Sequence, residues 1–437
     1  MKDKQIQKLI KNEETRQSET LNIIASENYV SMGVREALAS VFTNKYAEGY
    51  PRARYYAGNT YVDGLEELVQ SRALKLFKIS SKIWDVNVQP YSGSPANLAV
   101  YHALIPVGSK IMAMALDMGG HLTHGYRASV TGKLWRQVPY GVDKKTEKIN
   151  YDEVLKIAKK EKPALIIVGG SAYARIIDFK KMKKIADTVH AIFMVDMSHF
   201  VGLVAGSAYP SPFKYADVVT TTTHKTLRGP RAALIFARKS QISNLKSQIN
   251  SPPKADPSLT EKFKIQNSKL SIAEAIDKAV FPGLQGGPHM NTIAAVGVAL
   301  SEANTGQFKV YAKQVVKNAK TLAEELKKCG WKIISGGTDS HLFLVDTMEK
   351  GISGKEASDL LESVGIIVNK NTIPYDTQKP TNPSGIRIGT PALTTRGMKE
   401  KEMKIIAHLI SDALLKTQPE LIIRGEIKKL CKRFKIK

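Results

Sequence analysis

Cysteine is nearly missing from this 437-residue chain: Cys329 and Cys431 stand far apart and outside any C-x-x-C spacing. That excludes a disulfide framework and a cysteine zinc site and leaves two free thiols. No apolar stretch approaches the roughly 18 residues that a spanning helix needs. The opening "MKDKQIQKLIKNEETRQSET" is charged throughout, without the hydrophobic core of a secretory signal, so a cytoplasmic protein is expected. A dinucleotide fingerprint G-x-G-x-x-G between strand and helix is absent, and "GISGKE" has the Gly-Lys of a phosphate loop without its preceding spacing. Internal repeats and low-complexity tracts are absent too.

Positive charge is abundant: 65 Lys and Arg against 40 Asp and Glu give a formal charge of +25. Such an excess favours anionic partners, whether nucleic acid, an anionic membrane or a small substrate bearing several carboxylates. The densest basic run, "GEIKKLCKRFKIK" at 425–437, intersperses Ile427, Leu430 and Phe434 among its lysines, as a solvated amphipathic helix does. The expectation is therefore a merely solvated surface or anion attraction for a substrate, with no membrane partner and no dedicated nucleic-acid partner. At 43% hydrophobic and 24% charged residues the composition is that of a folded protein, and the length suggests two or three structural units.

The middle of the chain has a rhythm. "PALIIVGG" (163–170), "AIFMVD" (191–196), "DVVTTTTHK" (217–225) and "AALIFARK" (232–239) are short apolar or β-branched runs, with the amphipathic helix "DFKKMKKIADTVH" (178–190) after the first. Continuous apolar strands alternating with helices predict a mostly parallel central sheet covered on both faces. Ligands of such sheets sit at the carboxyl ends of strands. Ser171, Asp196 and Lys225 each fall at or just beyond a different strand end, which can bring them to one crevice. A long helix over 307–329 is stopped by Gly330. Beyond it, "WKIIS", "HLFLVD", "IIVNK" and "GIRIG" read as strands, and Ser353 with Glu356 as a capping box. The expected division is an N-terminal helical arm and active-site loop over 1–70, a large domain over 71–285 with a lysine-rich polar insertion at 240–279, and a smaller C-terminal α/β domain over 286–437.

In "TTTTHKTLRGPR" (220–231) Lys225 ends a β-branched run. A lysine there is as often a solvated charge as a reactive one. If it is buried, desolvation disfavours the ammonium and leaves an amine able to condense with an aldehyde. Pyridoxal phosphate uses such a lysine together with a carboxylate that keeps its ring nitrogen protonated. Asp196 in "VDMSHF" is the candidate, with His199 three residues on. "YSGSPANLAVY" (91–101) offers a small-residue turn and Pro95 at an expected first helical position, either a structural turn or a phosphate cradle.

These segments, with "IIASEN", "NKYAEGYP", "RYY", "NVQPYSGSPAN", "GGHLTHG", "SAY", "VDMSH", "VVTTTTHKTLRGPR", "FPGLQGGP", "SGGTDSHLFLVD", "VNKN" and "SGIRIGTPALTTRG" in that order, make the chain resemble serine hydroxymethyltransferase along nearly its whole length. That family is made of fold-type I pyridoxal phosphate enzymes. The resemblance implies that Lys225 holds the cofactor as an internal aldimine, with His224 and Thr222 beside it, and that Asp196 partners the pyridinium nitrogen. It implies that His199 and Ser171 lie near the phenolic oxygen, that His121 stacks on the ring, and that Ser92, Gly93 and Ser94 cradle the phosphate. Tyr46 and Gly287 would reach the phosphate from a neighbouring subunit, which implies a homodimer with shared active sites. Arg387 would clamp the substrate carboxylate, its planar fork suited to bidentate binding, assisted by Ser26 and Tyr56. Glu48 would handle protons at the serine hydroxymethyl group and the folate. Asn371, Leu116 and Leu122 would line the folate pocket, and Arg231 would support the cofactor region; no metal is implied.

The implied reaction moves the hydroxymethyl carbon of L-serine to tetrahydrofolate, reversibly, giving glycine and 5,10-methylenetetrahydrofolate. Folate polyglutamate tails are anionic, which suits the basic surface. A folate-independent aldolase acting on threonine-like β-hydroxy amino acids would share the lysine, aspartate and histidine, so Glu48 and Asn371 favour folate. A catalytically quiet RNA-binding regulator is opposed by the complete reactive set. The pattern departs from the family at Arg52, Ala53 and Ala57 in "GYPRARYYAGN", and at Pro95, Asp117, Met118, Ser198, Ala232 and Ala233. Because non-glycine residues resist positive φ, the loop beside Glu48 is expected to be rebuilt and the substrate range altered.

Overall fold

The apolar runs form a seven-stranded sheet: β1 (Trp84–Asn87), β2 (Lys110–Met114), β3 (Arg136–Tyr140), β4 (Leu165–Val168), β5 (Ile192–Asp196), β6 (Val218–Thr222) and β7 (Ala233–Arg238). The chain is described here from a computed structural model covering residues 2–241 and 270–436. The spatial order is β1-β7-β6-β5-β4-β2-β3. Strands β2 to β6 pair in parallel, and β7 runs antiparallel to β1 and β6. Successive side chains point to opposite faces, and both faces are buried. Ile111, Leu165, Ile167, Ile192 and Met194 enter one core, and Met112, Ile166, Val168, Phe193 and Val195 the other. A strand covered on both sides has no position for polar alternation, which is why these runs are continuously apolar.

The parallel register sets the site. Val168 lies opposite Val195, and Asp196 opposite Thr220, so the carboxyl ends of β4, β5 and β6 open onto the same edge. The helix Gly93–Leu104 begins there with Ser92 as its N-cap. Pro95 is therefore its third residue, not its first. The exchange is harmless because the first turn's N–H groups have no intrahelical acceptor.

The second sheet is antiparallel, with β8 (Lys332–Ile333), β9 (Leu342–Asp346), β10 (Asn369–Asn371) and β11 (Gly385–Gly389) in the order β8-β9-β11-β10. Its core divides the chain differently from the expected boundary at 286. The helix Gly306–Lys328 puts Phe308, Tyr311, Ala312 and Val315 into the large-domain core, and Leu322, Ala323 and Leu326 into the small one. The preceding helix Met290–Ala303 contributes Ile293, Val296 and Leu300 to the large core. The first 70 residues are shared as well. Leu21 and Asn22 pair in parallel with Ile366 and Ile367, and Leu21, Ile23 and Ala25 join the small-domain core, whereas Val62, Val69 and Ala73 of the helix Thr60–Phe77 join the large one.

Most of the predicted insertion, 242–269, lies outside the described residues. Its end is not polar surface: Ile272, Ala273, Ala275 and Ile276 are buried against the sheet, in a helix opened by a Ser271–Glu274 capping box. At Ser353 only half of the predicted box is present, the side chain accepting the Glu356 N–H at 3.2 Å. The C-terminal helix Glu420–Arg433 is amphipathic, burying Ile423, Ile427, Leu430 and Cys431. Cys329 and Cys431 are both free. No described helix is long and apolar enough to cross a membrane.

Asp277 sits where that buried helix meets β1. Asn87 Nδ2 donates to its Oδ1 at 2.7 Å and to the Tyr50 hydroxyl at 2.9 Å, and Tyr50 donates to the Asp277 carbonyl at 2.6 Å. Burial, reinforced by Asp85 and Glu66 against the Asn87 hydrogen bond, pushes the Asp277 carboxyl up to about 7. The folded protein thus holds a proton that the unfolded chain releases near pH 4, so this contribution is complete at low pH and lost as pH rises through about 7. At about 1.4 kcal/mol per pKa unit, Asp277→Asn is expected to flatten the decline in stability between pH 5 and pH 8, by more than about 1 kcal/mol. Urea unfolding at stepped pH measures it; an unchanged pH dependence would refute it.

Candidate active site

Where β4, β5 and β6 end, Ser171, Asp196, His199, Thr222, His224 and Lys225 line one cavity of about 360 Å³, together with Ser92, Gly93, Ser94, His121 and Arg231. Asp196 is its buried floor. Oδ2 accepts His124 Nε2 at 3.1 Å and Asn97 Nδ2 at 2.9 Å, and Oδ1 accepts the Ser198 N–H at 3.0 Å and its hydroxyl at 2.5 Å. Burial alone would raise this carboxyl, but hydrogen bonding and charge from His124, with His121 and Ser198, outweigh it and hold the group well below the carboxylate range. It stays an anion in a low-dielectric place. Asn97 is itself fixed, accepting the Thr220 hydroxyl at 2.7 Å and donating to Thr123 at 2.9 Å.

Lys225 is partly buried and donates Nζ to Thr222 Oγ1 at 2.8 Å. Burial, opposed by Asp196 and aided by Arg387 and Arg231, brings its amine down to about 8. A substantial neutral fraction near neutral pH makes it a nucleophile, which a solvated lysine is not. The imidazoles around it are neutral. Burial, then Lys225 and Arg231, lowers His224 to about 3, and burial, then His124, lowers His121 to about 4. The Thr123 N–H points at His121 Nδ1 at 3.2 Å, which places the ring proton on Nε2. His199 is pulled well below its ordinary value by burial and then by Lys225. Its Nδ1 lies 3.3 Å from Nε2 of His341, and the two rings stack at 5.5 Å.

Arg387 rises from the other sheet, on β11. It is 9% exposed, donates Nε to Asn369 Oδ1 at 3.1 Å and Nη1 to the Ser171 carbonyl at 2.6 Å, and makes no ion pair among the described residues. Burial pulls it down to about 10. A buried guanidinium with spare donors and no counter-ion is a receptor for a carboxylate. Ser26 follows Ala25, whose Cα lies 2.4 Å from where a Cβ on Gly389 would stand, so it flanks the end of the same strand. Asn371 is on β10 opposite Gly385. Leu116 is half-buried and Leu122 exposed beside His121.

Four expected residues are elsewhere in the same chain. Tyr46 packs its ring edge to face on Tyr56 at 5.0 Å and lines a separate cavity with Gly287. Glu48 lines another, of about 450 Å³, with Tyr55 and residues 281–286. The sequence placed Glu48 and Tyr56 with Lys225; within one chain they are not together. In the loop beside Glu48 a non-glycine residue does take positive φ. Gly49–Tyr50 and Ala53–Arg54 form a small hairpin, and Arg52 takes φ +65 in its turn, anchored by an N–H bond to Asp63 Oδ2 at 2.9 Å. Ala57 has no positive φ.

Reading the sequence missed Asn97, His124 and His341 as site residues, and took Ser198 only as a departure. Each stands inside a quoted motif, but nothing in a linear string shows that they hydrogen-bond the aspartate or stack on His199. His121, His124 and Asp196 also bring ligand-capable atoms within 4.8 Å of one another, though the His124 and Asp196 atoms are already hydrogen-bonded together.

The residues suit pyridoxal phosphate. The carboxylate is locked anionic and the amine is partly neutral. Gly93 opens a 12-residue helix so close to β6 that a Cβ would fall 2.7 Å from Thr222 Cγ2, leaving backbone N–H groups facing the cavity mouth. His224 Nδ1 is buried with no hydrogen-bond partner among the described residues. A mostly parallel α/β sheet presenting such a lysine and aspartate defines the class of fold-type I pyridoxal phosphate enzymes. Within that class, the family model for serine hydroxymethyltransferase matches residues 1–410, and a serine hydroxymethyltransferase of Koribacter versatilis (strain Ellin345) is 50% identical over 435 residues, 99% of this chain and 94% of that protein. The chain belongs to the serine hydroxymethyltransferase family. Its activity is the reversible transfer of the serine hydroxymethyl carbon to tetrahydrofolate, with pyridoxal phosphate as cofactor. Neither the folate-independent aldolase nor the quiet RNA-binding reading is favoured.

Because a non-glycine residue in the left-handed region costs about 1–2 kcal/mol, and the exposed Arg52–Glu67 pair at 3.0 Å returns at most about 1 kcal/mol, Arg52→Gly is expected to leave stability unchanged or raise it by up to about 1 kcal/mol. Denaturant midpoints decide; a clear loss of stability would show that the arginine is needed there.

Proposed function

We propose that the chemistry is carried out by the residues lining the Lys225 cavity, and that the observation carrying this reading is the pairing, in one crevice, of a desolvated amine with a carboxylate locked as an anion. Lys225 would be the residue that holds the cofactor through its amine and gives it up to serine. Asp196 keeps the ring nitrogen protonated, and bound pyridoxal phosphate then supplies a sink for the electrons released when the serine Cα–Cβ bond breaks. His121 would lie against the ring, His199 and Ser171 would serve its oxygen, and Ser92, Gly93, Ser94 and His224 would receive the phosphate. Thr222 holds the Lys225 amine by its hydroxyl, and Arg231 supports that wall. Arg387, with Ser26, takes the substrate carboxylate and so fixes which bond stands ready to break. Asn371, Leu116 and Leu122 line the approach for folate.

Glu48, Tyr46, Tyr56 and Gly287 stand away from this cavity in their own chain, and we assign them to the site of a second copy. In that homodimer Glu48 moves protons at the serine hydroxyl and the folate, Tyr46 and Gly287 contact the phosphate, and Tyr56 assists Arg387. The two free thiols suit a reducing compartment, and we place the protein in the cytoplasm.

The purified holoenzyme should cleave serine much faster with tetrahydrofolate than without it. Equal rates would overturn the folate role of Glu48 and Asn371. Lys225→Ala should lose the visible absorbance of covalently bound cofactor and lower kcat by several orders of magnitude; retention of that band would overturn the lysine assignment. In the parent protein, recovery of the band after cofactor removal should quicken as pH rises toward and past about 8, the neutral amine being the reactive form. Sedimentation equilibrium should give twice the chain mass, and a monomer with full activity would overturn the shared site.

A further inference from the structure

The Glu48 side chain makes no hydrogen bond and no ion pair among the described residues, although a Cβ on Gly286 would come within 3.0 Å of its Oε1. A carboxylate that must meet a substrate within a few tenths of an ångström therefore takes its place from the main chain. That main chain is gripped on both sides. Arg54, whose side chain is 4% exposed, donates Nη1 to the Ala47 carbonyl at 3.0 Å and to the Gly49 carbonyl at 2.8 Å. Gln89 Nε2 donates to the same Gly49 carbonyl at 2.9 Å, and the Glu48 carbonyl accepts the Tyr55 N–H at 2.9 Å. Gly49 takes φ +96 with no space for a Cβ, which would stand 2.3 Å from the Ala53 carbonyl oxygen, so the bend after Glu48 admits only glycine.

Arg54 is oriented in turn. Its Nε donates to Asp63 Oδ1 at 2.8 Å and its Nη2 to Glu66 Oε2 at 2.6 Å, and the other oxygen of the fully buried Glu66 accepts Gln89 Nε2 at 2.9 Å. One planar fork thus spans two carboxylates and the two carbonyls that bracket Glu48. An ammonium cannot reproduce it, since its three donors diverge from a single point.

We propose that Arg54, oriented by Glu66 and Asp63, is the positioning residue that sets where the Glu48 carboxylate stands during folate-dependent serine cleavage. This rests on the role given to Glu48 above. The test is a double-mutant cycle on the holoenzyme with Glu48→Gln, Arg54→Lys and the pair, read by steady-state kinetics with serine and tetrahydrofolate and by the visible band of the bound cofactor. Glu66→Gln, which keeps the side-chain shape, provides the same cycle should Arg54→Lys fail to fold. Arg54→Lys and Glu66→Gln are each expected to lower kcat by about 10- to 100-fold, the scale of a displacement of about an ångström, with the KM for serine and the visible band unmoved. On the Glu48→Gln background neither should lower kcat further, because residues acting through one another are not additive. Losses that multiply, or full kcat in both single variants, overturn the proposal alone. A Glu48→Gln enzyme with full kcat overturns the role of Glu48 and the proposal with it.

Discussion

The structure depends on keeping one carboxylate ionised where water does not reach. Asp196 receives four hydrogen bonds from His124, Asn97 and Ser198, and these hold it anionic against the desolvation that would otherwise protonate it. Everything else in the crevice is arranged around that charge. It partly offsets the burial that makes the Lys225 amine nucleophilic. The sheet supplies what a loop could not, a rigid edge on which β4, β5 and β6 end in register.

Electrostatics and topology divide the labour between the two sheets. The parallel sheet presents the amine, the anion and the helix start. The antiparallel sheet brings Arg387, whose fork reaches across to the Ser171 carbonyl, and His341, whose ring stacks on His199. A serine carboxylate bound to Arg387 would therefore bridge both cores. A buried guanidinium with no counter-ion among the described residues is costly until a carboxylate arrives, so such a site would favour a ligand that carries one.

Much of this was legible in the chain, for physical reasons. Continuous apolar runs announce strands covered on both faces, so the ends of "AIFMVD" and "DVVTTTTHK" located Asp196 and Lys225 before any coordinates. Three things were not legible. Two partners of Asp196, Asn97 on a helix and His124 in a loop, are distant in sequence, and only packing brings them to it. Glu48 is grouped with the Lys225 site by its motif, yet within its own chain it lines a different cavity, because a motif carries no distance. Where the two cores part was not legible either, because an amphipathic helix such as Gly306–Lys328 shows in sequence that it buries one face, not that its two halves are buried in different cores. At Arg52 the left-handed backbone that a propensity rule disfavours is adopted nonetheless, with its N–H held by Asp63.

That dual rooting of Gly306–Lys328 has a mechanical meaning. One rod is embedded at its first half under the parallel sheet and at its second half under the antiparallel one, and Asn318 between them is tied to Thr394 and Met398. Melting of either half would loosen the anchorage of the other, which couples the order of the two cores. The lysine of one core and the arginine of the other are thus braced against each other by the same rod.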